Sequence, residues 1–164
     1  MPIISHFSWA VVLFKIVAWI LQIKYGFSDL LLLIFSSTLP DFDFFFHRIV
    51  RKKGLDSDFR HHEWPTHWPL VYSPVILIAI IFPSLRTILI CFGCFLHFVM
   101  DSFFTADGIM WLAPISKKSF LFCGKETMGN YHGWDWFKRY RKLWIYKLDI
   151  VLAFIAIIIL FLSI

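Results

Sequence analysis

The sequence predicts an all-α fold: a polytopic membrane bundle of four to five apolar helices that forms one domain over residues 1–164. Of the 164 residues, 59% are hydrophobic and only 16% are charged, whereas about 25% of the residues of a soluble domain are charged. The mean hydropathy of +0.72 agrees with this class. Apolar segments also recur along the whole chain, as a protein with several membrane crossings requires.

Five apolar segments carry this prediction. They cover residues 7–23, 31–46, 70–82, 85–104 and 145–164. The first is expected to be a retained helix rather than a cleaved signal, because Lys15 interrupts it and no small-residue cleavage site follows. A full crossing needs about 20 apolar residues. The second and third segments are shorter, which leaves tilted, re-entrant or buried helices as alternatives.

Positive charge is concentrated in two long segments between the apolar ones. Residues 47–68 and 105–147 hold all but three of the 16 lysines and arginines. They are Arg48, Arg51, Lys52, Lys53 and Arg60 in the first segment, and Lys117, Lys118, Lys125, Lys138, Arg139, Arg141, Lys142 and Lys147 in the second. Because basic loops favour the cytoplasmic side, we expect both segments and the N-terminus to lie there.

Two carboxylates lie inside one of the most apolar stretches of the chain. Asp41 and Asp43 follow Pro40, which interrupts regular helix hydrogen bonding and favours an irregular turn. Removing an ionised carboxylate from water costs several kcal/mol or more unless a cation or hydrogen-bond donors meet it. A solvated turn at the membrane surface is the alternative, but the neighbouring phenylalanines favour a bound cation.

Histidines that could complete a cation site fall on the same predicted membrane face. His97 and Asp101 are four residues apart on a predicted helix, so both project from one side of it. Such a pair also fits a helix-end histidine bonded to a carboxylate. His62 and His67 occupy the loop after the second apolar segment, and His6 precedes the first.

The candidate ligands are therefore imidazoles and carboxylates. They are His6, Asp41, Asp43, His62, His67, His97 and Asp101. A site of this composition without thiolates suits zinc or manganese before calcium or an iron–sulfur cluster. Cys91 and Cys94 lie within an apolar helix, where we interpret them as small residues that allow close helix packing rather than as a redox pair.

The order of these motifs resembles the YdjM/YbcI family of inner-membrane, metal-dependent hydrolases. The resemblance spans His6 to about Lys118 and depends on three motifs in order. They are Leu-Pro-Asp-Phe-Asp at 39–43, His-Glu-Trp-Pro-Thr-His at 62–67, and His-Phe-Val-Met-Asp at 97–101, which is followed by a glycine turn and an aliphatic-Pro segment. Glu63 and Trp64 replace an Arg-Gly pair that is frequent in the family, and Trp68 replaces a serine. The resemblance implies a multi-pass protein of the cell inner membrane.

The same motif order is similar to that of zinc-dependent phospholipase C and the P1-nuclease group. This similarity implies two ions, zinc favoured and manganese possible. His67, His97, Asp101 and one of Asp41 or Asp43 would hold the first ion, and His6 would share Asp101 with the second. Asp101 and Asp43 are then the expected catalytic carboxylates for hydrolysis of a phosphoester by metal-activated water.

The basic segments fit an anionic lipid or a phosphorylated substrate at the bilayer surface, although they could equally only set topology. A non-catalytic membrane module with a structural metal site and a cytoplasmic partner is the alternative function. Aromatic and basic residues alternate over residues 131–147 as in some nucleic-acid binders. Beside a membrane helix this composition indicates an interfacial belt, so we do not expect a nucleic-acid partner.

Overall fold

The computed structural model describes residues 2–43, 61–105, 108–122 and 133–164, which fold into helices joined by turns. The α-helices in these ranges are α1 (Ile3–Ile20), α2 (Phe27–Thr38), α3 (Ser73–Ile81), α4 (Leu85–Phe104), α5 (Gly133–Tyr140) and α6 (Trp144–Phe161). Short 3₁₀ helices cover Leu39–Phe42, His61–Glu63, Pro65–His67 and Pro69–Tyr72. The predicted all-α class is confirmed.

Some positions that entered the sequence predictions lie outside the described ranges. They are residues 44–46 of the second apolar segment and the basic residues Arg48, Arg51, Lys52, Lys53, Arg60 and Lys125.

Three of the described helices are long and apolar enough to cross a membrane, namely α1, α4 and α6. Their exposed sides carry large apolar side chains such as Trp19, Phe95 and Phe154, as expected where lipid rather than water is the solvent. The predicted count of four to five crossings is not confirmed. The helix α2 has 12 residues, and at 1.5 Å per residue this length is about 18 Å, short of a hydrocarbon core of about 30 Å.

Local signals explain why α2 is short. The backbone N–H of Gly26 donates to the Asp29 carboxylate at 2.9 Å, which caps the first turn. Pro40 follows the other end, where the chain tightens into the 3₁₀ helix Leu39–Phe42. The sequence pattern placed the second apolar helix at 31–46, but the structure starts it four residues earlier and ends it at Thr38.

The helices α2 and α4 pack so closely that a glycine is required between them. An added Cβ at Gly93 would lie 2.2 Å from Ser36 Oγ and 2.8 Å from Ser37 N. The next residue, Cys94, donates a hydrogen bond from its thiol to the Ser36 carbonyl, with 3.3 Å between sulfur and oxygen. Cys91 and Cys94 are free thiols within the described part of the chain, in agreement with their predicted packing role.

The apolar core lies where α1, α2 and α4 pack against one another. Ala10, Phe14 and Ala18 of α1 pack with Leu33 of α2 and Leu89 of α4, all of them at most 4% exposed. The helix α6 packs along α1, and its residues Ile159 and Leu160 contact the same cluster.

Polar contacts collect at one end of the bundle. Ser5 near the start of α1 bonds Asp149 near the start of α6. His97 near the end of α4 bonds the carbonyl of Ser37 near the end of α2. The N-terminal ends of α1 and α6 therefore meet the C-terminal ends of α2 and α4 at one boundary, which is where the sequence placed the candidate ligands.

After α4 the chain doubles back, so that Ile109 pairs antiparallel with Phe120 at this end of the bundle. Ile109 and Phe120 exchange backbone hydrogen bonds of 3.1 and 2.9 Å. Gly108 precedes them with φ +65°, and a Cβ there would lie 2.3 Å from the Phe120 carbonyl oxygen, so only glycine fits. Phe122 N–H donates to the Ser102 carbonyl at 2.9 Å and ties the turn to the last helical turn of α4.

Candidate metal centre

His97 is held on α4 in one defined orientation. Its Nδ1 lies 2.8 Å from the carbonyl oxygen of Ser37. Because a carbonyl oxygen can only accept, Nδ1 carries the proton in this bond, and Nε2 of the neutral ring presents a lone pair. That Nε2 lies 3.1 Å from Oδ2 of Asp101, the residue one turn along the same helix, as the four-residue spacing predicts.

His67 lies beside His97 but belongs to a different segment of the chain. The 3₁₀ helix Pro65–His67 places its Nδ1 3.3 Å from Oδ2 of Asp43. Its Nε2 then points at Nε2 of His97, with 3.3 Å between the two nitrogens. Nδ1 of His67 also lies 3.3 Å from the Thr66 hydroxyl. When this Nδ1 carries the proton, as Nδ1 of His97 does, two imidazole lone pairs face one another, and such a pair requires a cation or an added proton between them.

Asp41 completes a triangle of donor atoms with these two rings. Its Oδ1 lies 3.5 Å from Nε2 of His67 and 3.7 Å from Nε2 of His97. The Asp41 side chain is buried, and it belongs to the 3₁₀ helix Leu39–Phe42, which has Pro40 in its first turn.

His6 and His62 approach the same carboxylates from the remaining directions. Nε2 of His6 lies 3.5 Å from Oδ1 of Asp101 and 3.9 Å from Oδ2 of Asp41. Nε2 of His62 lies 3.4 Å from Oδ2 of Asp101. The ring of His6 also stacks on that of His97, with 3.9 Å between centroids and 19° between planes.

These distances fit a divalent metal ion. Two ligand atoms bound to one zinc ion at about 2.0–2.2 Å in tetrahedral geometry lie roughly 3.3–3.6 Å apart. The nitrogen–oxygen and nitrogen–nitrogen separations that link Asp41, Asp101 and the four histidines run from 3.1 to 3.9 Å. Hydrogen-bonded networks of neutral groups would instead be closer to 2.9 Å.

The six residues form two groups of three that could each hold an ion. His6, Asp41 and His97 make one group, and His62, His67 and Asp101 make the other. All six side chains are at most 4% exposed. The donor atoms are nitrogen and oxygen without sulfur, the set that zinc and manganese share.

The structure thus brings together six of the seven predicted ligands and places the seventh beside them. Asp43 is 0% exposed but belongs to neither group of three, because its carboxylate meets the outer nitrogen of His67. Sequence reasoning missed Ser37, whose backbone carbonyl orients His97. No side-chain signal marks a backbone acceptor, so only the packing of α2 against α4 could reveal it.

The residues of the second histidine segment that depart from the family motif are exposed or half-buried. Glu63 is exposed, and Trp64 and Trp68 are half-buried. The two histidines of this segment are buried against Asp41 and Asp101 all the same. The substitutions therefore change what borders the cluster while leaving its donor atoms in place.

The family described as YdjM inner membrane protein matches residues 1–164, the whole chain. No curated protein and no solved structure matches. The further similarity to zinc-dependent phospholipase C and the P1-nuclease group is not shown by these comparisons.

Proposed function

Because the chain belongs to the YdjM inner membrane protein family, we propose that its buried histidine–aspartate cluster is the centre of a membrane-embedded, metal-dependent hydrolase. The substrate is a phosphoester of a lipidic or other anionic molecule, and the whole chain acts as one domain. The observation that carries the proposal is the facing pair of Nε2 atoms of His67 and His97, 3.3 Å apart beside the Asp41 carboxylate.

Each residue has a distinct role in this proposal. Asp41, His67, His97 and Asp101 would hold one ion. His6 and His62 would hold a second ion together with Asp101, whose Oδ1 lies near Nε2 of His6 and whose Oδ2 lies near Nε2 of His62 and His97. When bound, divalent ions lower the pKa of water toward neutrality and offset negative charge on a phosphoryl group. Zinc is favoured and manganese is the second choice.

Asp43 acts through His67 in this scheme rather than on the ion. Its buried carboxylate lies 3.3 Å from Nδ1 of His67, and a negative charge at that distance favours the ring orientation and tautomer in which Nε2 binds a metal. Asp43 is expected from the sequence to be a metal ligand and a catalytic group, whereas its contact with His67 favours a positioning role.

The surroundings of the cluster support an anionic substrate at the membrane surface. Lys138, Arg141 and Lys142 are exposed next to the start of α6, at the same end of the bundle as the cluster. Trp144, the first residue of α6, is 68% exposed, as befits a side chain at the headgroup level. We propose that this end faces the cytoplasm and that its basic residues hold phosphate groups or anionic lipid.

The proposal is tested on the full chain purified in detergent and reconstituted in lipid. Elemental analysis should find about two divalent ions per chain. Hydrolysis of a phosphodiester, a phosphomonoester and anionic phospholipid vesicles should be lost after chelation and recovered with zinc or manganese. A carboxylic ester is the control substrate. Stoichiometric metal without turnover of any phosphoester would favour a structural site and a partner-binding module instead.

Asp43→Asn tests the positioning role. The amide keeps the size of the side chain but loses the charge that holds His67, so the affinity for metal should fall about 10- to 100-fold. Competition with a chromophoric chelator measures this affinity. Asp29→Asn is the matched control, because Asp29 caps the far end of α2 and should leave metal affinity unchanged. Equal affinities of Asp43→Asn and the wild type would contradict the role.

A further inference from the structure

A second buried carboxylate lies outside the cluster, on α6. Asp149 is 4% exposed and receives three hydrogen bonds. Ser5 Oγ donates to its Oδ2 at 2.7 Å, Trp9 Nε1 donates to its Oδ1 at 2.8 Å, and the Tyr140 hydroxyl donates to Oδ2. The donors come from α1 and α5, so a single side chain joins these two helices to α6.

An ionised carboxylate suits this place because it only accepts hydrogen bonds, and every neighbour here is a donor. Within the described ranges, the Asp149 carboxylate is compensated by these three donors rather than by a lysine, arginine or histidine. An acidic residue within a membrane helix is costly without compensation, and such residues mark functional positions in membrane proteins.

The network is directly next to a proposed metal ligand. Ser5 precedes His6, and Ser5 and Trp9 are four residues apart, so both lie on one face of α1 while His6 lies about 100° around the helix. Asp149 is therefore hydrogen-bonded to the face of α1 that is next to the face carrying His6.

His6 differs from His97 and His67 in how its ring is held. Nδ1 of His97 donates to the Ser37 carbonyl, and Nδ1 of His67 lies 3.3 Å from the Asp43 carboxylate. Nδ1 of His6 has no hydrogen-bond partner among the described residues. The ring is held by stacking on His97 and by the position of α1 itself.

We propose that Asp149 is a positioning residue that fixes the rotation of α1 and thereby holds His6 in the metal centre. This inference rests on the proposed function. The hydrogen bonds from Ser5 and Trp9 to Asp149 orient His6 indirectly, by fixing α1. Ser37 and Asp43 instead contact the rings of His97 and His67 themselves. A rotation of α1 by about 20° would move an atom at the roughly 5–6 Å outer radius of the helix by about 2 Å, the length of a metal–ligand bond.

The test is metal binding to Asp149→Asn. An amide keeps one acceptor oxygen and turns the other position into a donor, so at least one of the three incoming bonds is lost. The second ion should bind at least about 10-fold more weakly, while the ion at His67 and His97 is retained. Elemental analysis gives the stoichiometry, and the visible spectrum of the cobalt-substituted protein reports the loss of a nitrogen ligand.

A double-mutant cycle separates positioning from simple stabilisation of the fold. Asp149→Asn should weaken the second ion in the wild-type background but have no further effect in the His6→Ala background. A lower melting temperature alone would be expected of any helix contact and does not decide the question. Asp149→Asn with wild-type metal affinity and cobalt spectrum would overturn the inference.

Two milder variants keep the test decisive if Asp149→Asn fails to fold. Ser5→Ala and Trp9→Phe each remove one donor and preserve most of the packing, and each should weaken the second ion. Asp29→Asn is again the control. A wild-type protein that binds no metal would contradict the proposed function, whereas metal-loaded wild type with unchanged Ser5→Ala and Trp9→Phe would contradict only the role of Asp149.

Discussion

Asp101→Ala is expected to reduce the metal content from about two ions per chain to at most one, and to lower phosphoester turnover at least about 10³-fold. The reason is the number of its contacts. Asp101 lies within 3.5 Å of Nε2 of His6, His62 and His97, so its loss removes an oxygen from both proposed ions. Elemental analysis and the phosphoester assays on the same samples measure the two effects.

Asp101→Asn provides the matched comparison. The amide retains one oxygen and the shape of the side chain but offers a single acceptor where the carboxylate offers two. It should therefore retain more metal than Asp101→Ala, although turnover should still be greatly reduced. Wild-type metal content in Asp101→Ala would exclude Asp101 from the site and end the proposed bridging role.

Gly93→Leu is expected to lower the free energy of unfolding by about 3 kcal/mol or more, and to abolish metal binding with it. The close contact of α2 and α4 is the cause. A Cβ at this position would already lie 2.8 Å from the backbone nitrogen of Ser37, so α2 must move away. The Ser37 carbonyl moves with it and no longer fixes Nδ1 of His97.

Detergent-denaturation curves of the purified protein measure the stability change, and chelator competition measures the metal affinity. Gly26→Leu is the control, because the nearest atom to a Cβ there is Asp29 Oδ2 at 3.9 Å. Its cost should stay near 1 kcal/mol or below, the usual cost of changing a helix cap, with metal binding unchanged. Wild-type stability of Gly93→Leu would show that the two helices do not pack as described.

Some features of the site could be predicted from local sequence. Four-residue spacing on a helix brought His97 and Asp101 to one side, and Pro40 before Asp41 indicated a break in α2 at the membrane boundary. The position of positive charge and the order of apolar segments put every candidate ligand at one end of the bundle. These inferences need only helix periodicity and the cost of burying charge, which act over a few residues.

Other features could not be read from the chain. Asp149 stands alone in an apolar segment, and nothing near it in sequence indicates that Ser5, Trp9 and Tyr140 converge on it. Asp43 and Asp41 are equivalent by composition, yet only one of them faces Nε2 of His67 while the other faces Nδ1. Which nitrogen each carboxylate approaches depends on where the His67 segment packs, and that is a contact between segments distant in sequence.

By itself, the sequence determined that this protein is a helical membrane protein with imidazoles and carboxylates gathered at one boundary, because hydropathy and helix periodicity are local properties. Only the tertiary structure decided which donor atoms face one another and that Asp149 joins α6 to α1. Those features depend on the distance between helices that are far apart in sequence, and Gly93 sets one such distance by allowing α2 and α4 to touch.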